Sequence, residues 1–132
     1  GGDAAIVGVG PVLSECLEAA EQLEAEGLSV AVIDARIVKP LDEVMLRRIE
    51  GAPIVTVEEN TVLGGLGSAV LEHYQREGKL HGLRLERLGF PDAFIEHATR
   101  EQQLEMIGVT AAQIAEATRA LAAQAAHPDR VN

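Results

Sequence analysis

One cysteine, no tryptophan, one tyrosine and two phenylalanines occur in 132 residues, and each scarcity removes a class of protein. A lone Cys16 forms no internal disulfide and builds no cysteine-rich metal site, which suits a reducing compartment. Tyr74, Phe90 and Phe94 are too few for the aromatic platforms on which nucleic-acid bases stack. Positive charge is also short, with 11 Lys and Arg against 21 Asp and Glu, a net charge of −10 and a pI near 4.8. Such a field repels phosphate backbones and anionic lipid, so neither nucleic acid nor a membrane is an expected partner. The longest weakly polar stretch, 4–13, is cut by Gly8, Gly10 and Pro11 and falls short of the roughly 20 residues of a bilayer span. A secretory signal needs positive charge ahead of an apolar run, yet the first basic residue is Arg36, so a cytoplasmic location is expected. What remains is 47% apolar and 24% charged, the composition of one globular domain over 1–132.

The pattern along the chain alternates strand and helix. Ala4 to Val9 is a short apolar run closed by Gly-x-Gly-Pro, the way a buried parallel strand passes into a helix. Leu13, Cys16, Leu17, Ala20 and Leu23 then recur at spacings of three and four up to Gly27, with five glutamates between Glu15 and Glu26 on a solvated face. Leu28 to Ala35 predicts a second strand, completing a βαβ unit. Asp42 is placed to cap a short helix through Ile49, Pro53 to Val57 predicts a third strand, and a loop with Gly64, Gly65 and Gly67 leads into a helix ending near Gly78. Leu83 to Leu88 alternates apolar and charged residues, as an edge strand would. Two helices follow; the second opens on Thr110 with Gln113 three residues on, a capping-box spacing. Together these predict a mainly parallel sheet covered on both faces, a three-layer α/β sandwich. The alanine-rich stretch 111–126 reads equally as a packed helix or a partner surface.

Several motifs invite chemistry. Gly8-Val9-Gly10, with Asp34 closing the second strand, resembles part of a dinucleotide-binding fingerprint, but Leu13 stands where the third glycine belongs and Pro11 lacks an N–H for pyrophosphate. A plain strand-to-helix turn is the better reading. Glu58 and Glu59 fall at the carboxyl end of a strand, where α/β ligands sit, yet neighbouring strand residues point to opposite faces and would not share one proton. Loop or interface hydrogen bonding suits them better than acid–base work. Gly64-Gly65-Leu66-Gly67-Ser68 lacks the Lys of a phosphate-binding loop, and Val70 breaks the nucleophile-elbow spacing. His73, His81, His97 and His127 show no metal-ligand spacing and read as surface or interface histidines.

Asp34-Ala35-Arg36-Ile37-Val38-Lys39-Pro40-Leu41-Asp42, then Val55-Thr56-Val57-Glu58-Glu59-Asn60, then Gly64-Gly65-Leu66-Gly67-Ser68-Ala69-Val70 resemble, in that order, the carboxy-terminal domain of 1-deoxy-D-xylulose-5-phosphate synthases, in the transketolase superfamily. Phe90 to His97 and the helix after Gly108-Val109-Thr110 extend the likeness over nearly the whole chain. The resemblance implies a mainly parallel five-stranded sheet with one antiparallel strand; four strands are read above, and Ile37-Val38 or Ala93 to Ile95 are the candidate locations of the fifth. It also implies a fragment of a three-domain, homodimeric enzyme that uses thiamine diphosphate and Mg²⁺ to condense pyruvate with glyceraldehyde 3-phosphate. The start at Gly1-Gly2 without Met agrees with a fragment. In that family the cofactor is held by a Gly-Asp-Gly motif and activated by a Glu of other domains. No Gly-Asp-Gly occurs here, so this stretch is expected to bind no cofactor or metal, to hold no catalytic residue, and to contact the other domains or the second subunit through Glu58, Glu59, Asn60, Gly64, Gly65 and Gly67. The equivalent domain of transketolase or of a 2-oxoacid dehydrogenase β subunit, or a stand-alone nucleotide-binding module, are the alternative readings.

Overall fold

The structure, a computed structural model, describes residues 2–35, 43–58, 65–89, 99–106 and 108–126. In chain order these form β1 (Ala4–Val9), a 3-10 turn (Gly10–Val12), α1 (Leu13–Ala25), β2 (Val30–Asp34), α2 (Glu43–Arg48), β3 (Ile54–Glu58), α3 (Gly65–Arg76), β4 (Leu85–Leu88), α4 (Arg100–Met106) and α5 (Ala111–Ala126). The four described strands lie in the order β2-β1-β3-β4 and every neighbouring pair is parallel. β4 takes the edge that its alternating residues suggested. Both candidate locations of the fifth strand lie outside the described residues.

Alternation of side chains across the strands divides the core into two half-cores. Ile6, Val55 and Val57, flanked by Val30, Val32 and Leu88, pack with Cys16, Ala19 and Leu23 of α1, Leu104 of α4, and Ile114, Ala115 and Leu121 of α5. Ala5, Val7 and Ile54, flanked by Ala31, Ile33 and Leu85, pack with Leu46 of α2 and Leu66, Val70 and Tyr74 of α3. Both faces of the sheet are therefore covered, which is why its strands read as continuous apolar runs. Each fully buried Leu, Ile or Val contributes roughly 1.5–3 kcal/mol.

α1 is rotated relative to the predicted stripe. Its buried line is Val12, Cys16, Ala19 and Leu23, while Leu17 is 55% exposed. Position 8 explains the rotation: a Cβ on Gly8 would stand 2.8 Å from Cys16 Sγ, so α1 sits tight on β1 with sulfur filling the space glycine leaves. Gly8 is thus a close-packing residue between strand and helix.

The helix starts follow their caps. Thr110 and Gln113 form the reciprocal box: the Gln113 N–H donates to Thr110 Oγ1 at 3.2 Å, and the Thr110 N–H to Gln113 Oε1 at 3.1 Å. Thr99 and Gln102 form a second such box ahead of α4, with bonds of 3.1 and 2.9 Å. α5 buries Ala111, Ile114, Ala115, Thr118 and Leu121 and leaves Ala112, Ala120 and Ala123 open. Arg119 ties it to the end of α1 by a two-pronged ion pair with Glu26, both bonds 2.7 Å. No helix among the described residues is long and apolar enough to cross a membrane.

Candidate functional site

The polar groups that converge lie where β3 and β4 end and α3 begins. Glu58, the last residue of β3, shares a face with Ile54 and Thr56 and so points to the α3 side. Its side chain is only 6% exposed. Oε1 accepts the N–H of Leu66 at 2.9 Å and Oε2 the N–H of Gly67 at 3.2 Å. The first N–H groups of a helix have no partner within it and carry the positive end of its dipole, so an anion is favoured there. α3 has no acidic residue in its own first turn; β3 supplies one. With both oxygens engaged, Glu58 is a helix cap rather than an acid–base pair with a neighbour.

Arg87 on β4 stands opposite Thr56 in the sheet register, on that same face. Its Nη2 donates to Ser68 Oγ at 3.4 Å. Three glycines surround these two charged residues. A Cβ on Gly65 would lie 2.1 Å from Glu58 Oε1, and one on Gly67 2.2 Å from Arg87 Nε. One on Gly89 would lie 1.5 Å from the main-chain oxygen of Glu58. The structure thus brings together Glu58, Gly65 and Gly67 of the predicted residues; Glu59, Asn60 and Gly64 lie outside the described ones. Arg87, Ser68 and Gly89 were not anticipated. The available signal was a charged residue placed, in a strand, on the face that elsewhere carries Ile54, Leu85 and Ala5.

His73 corrects the expectation of a surface or interface histidine. It is buried, its ring edge-on to Tyr74 with centroids 4.9 Å apart. Three residues after Val70 and seven after Leu66, it falls on the inward stripe of α3 whatever its polarity. His81 is exposed, and His97 and His127 lie outside the described residues. Cys16 is buried and free, and burial, reinforced by the charge of Glu15, pushes its thiol up to about 12.

Among the described residues no three His, Cys, Asp or Glu side chains are grouped to hold a metal ion, and the one buried carboxylate already faces two amides. This set does not fit a Mg²⁺-diphosphate.

Residues 1–114 match the model of the transketolase C-terminal domain. The chain belongs to that family. This transketolase C-terminal domain is 47% identical over 118 residues to a 1-deoxy-D-xylulose-5-phosphate synthase of Geobacillus thermodenitrificans, a match over 88% of this chain and 19% of that protein. With the synthase of Anaeromyxobacter dehalogenans strain 2CP-C it shares 46% over 122 residues, 90% of this chain and 19% of that one. The chain therefore spans about a fifth of the length of these curated relatives. Among solved structures, a split-gene transketolase described as an inactive β4 tetramer superposes with a TM-score of 0.80 at 37% identity, over 93% of this chain and 40% of that one. Campylobacter jejuni transketolase superposes at 0.60 with 16% identity over 89% of this chain and 17% of that one, a likeness of fold alone.

Proposed function

We propose that this domain is the carboxy-terminal part of a 1-deoxy-D-xylulose-5-phosphate synthase and that it supports the enzyme's assembly rather than its bond-making. The full enzyme would condense pyruvate with glyceraldehyde 3-phosphate, releasing CO₂, with thiamine diphosphate and Mg²⁺ bound by its other domains. The observation that carries this reading is the 47% identity over 88% of the chain with such a synthase. Lys39-Pro40-Leu41-Asp42 and Glu59-Asn60 favour it further. In the homodimer, the stretch from Glu58 through Glu59, Asn60, Gly64 and Gly65 to Gly67 would meet the neighbouring domain or second subunit, with Glu58 steadying it from inside. Mixed with pyruvate, glyceraldehyde 3-phosphate, thiamine diphosphate and Mg²⁺, the purified chain should release no CO₂, and the full-length polypeptide that contains it should. Product from the chain alone, or none from the full-length polypeptide, would overturn the proposal.

A second reading has its own support. The split-gene transketolase shares 37% identity, and its chain is only two and a half times as long as the matched segment, since 40% of it is covered. Under that reading the domain closes a short subunit that pairs with a separately encoded one. Ketol transfer between sugar phosphates by the full-length polypeptide only when its separately encoded partner is added, without decarboxylation of pyruvate, would favour it.

A further inference from the structure

We draw no further inference here: the strongest candidate, the edge of the sheet at β2, where Val30, Ala31, Val32 and Ile33 are all only half-buried, carries none because nothing among the described residues shows what covers it.

Discussion

Gly10, Gly65 and Gly89 separate two effects that a Gly→Ala substitution usually mixes, the backbone angle and the space beside it. Gly10 has φ +83° and nothing within 4 Å of where its Cβ would stand. Gly10→Ala therefore feels only the left-handed conformation, roughly 1–2 kcal/mol, less ~0.4–1 kcal/mol returned by a stiffer unfolded chain. The net is about 1 kcal/mol. Gly65 takes an ordinary φ, but its Cβ would fall 2.1 Å from Glu58 Oε1, the movable end of a side chain. Glu58 would swing out and lose two charge-assisted bonds of ~1.5–3 kcal/mol each, much of which water and alanine's better helix propensity return. The net is about 2 kcal/mol. Gly89 combines φ +89° with a Cβ 1.5 Å from the carbonyl oxygen of Glu58 and 2.6 Å from its carbon. Those are backbone atoms at the end of a central strand, so β3 and β4 must part there, at roughly 4 kcal/mol or more. Against a total stability of about 5–15 kcal/mol this is severe. Urea unfolding followed by circular dichroism should rank the variants Gly89→Ala, Gly65→Ala, Gly10→Ala from least to most stable. With about 3–5 °C per kcal/mol, Gly89→Ala should melt more than ten degrees below wild type. A Gly89→Ala midpoint equal to that of Gly10→Ala would refute the reasoning, because the overlap with Glu58 is all that separates them.

Three further outcomes are expected. Cys16, buried with its thiol pushed up to about 12, should have a negligible thiolate fraction at neutral pH and resist iodoacetamide in the folded chain, reacting stoichiometrically in urea; rapid labelling without denaturant would contradict its packing beneath Gly8. Arg119 holds the carboxyl of Glu26 below the ordinary carboxylate range through their hydrogen bonds, so the pair contributes stability above that range and loses it as pH falls through the depressed value. Glu26→Gln should then melt below wild type at pH 7, with the gap closing in acid and in high salt; a gap that widens in acid would reverse the assignment. Thr110→Ala removes the Oγ1 that accepts the Gln113 N–H and should lower stability by about 1 kcal/mol in the same urea titration.

How much of this was legible beforehand depends on whether a feature is local. β1, β2 and β3 announced themselves as apolar runs because both faces of a parallel sheet are buried, and the box at Thr110 could be read from two residues three apart. The rotation of α1 could not, since Leu13, Leu17 and Ala20 keep helical spacing as well as Val12, Cys16 and Ala19 do; the choice was made by Gly8 on another element. His73 was misjudged by residue type when its spacing from Leu66 and Val70 already placed it inward. Glu58 was singled out for the right place in the sheet, but its partners are main-chain amides eight and nine residues away, and an amide N–H leaves no mark in a sequence. Arg87 and Gly89 belong to the same cluster through sheet register, which only the folded pairing of β3 with β4 reveals.

The strand order has a consequence for how the chain is made. β1 lies between β2 and β3, pairing Ala4 with Val30 on one side and Ala5 with Ile54 on the other, so both of its neighbours are translated after it. Closing the second pairing costs only about 0.5 kcal/mol more loop entropy than the first, but it cannot be completed before Glu58 has left the ribosome. At about 5–20 residues per second, β1 waits roughly 3–10 seconds for β3. During those seconds Ile6 and Val7, fully buried in the finished domain, have within the domain only the earlier-made α1 and β2 to pack against.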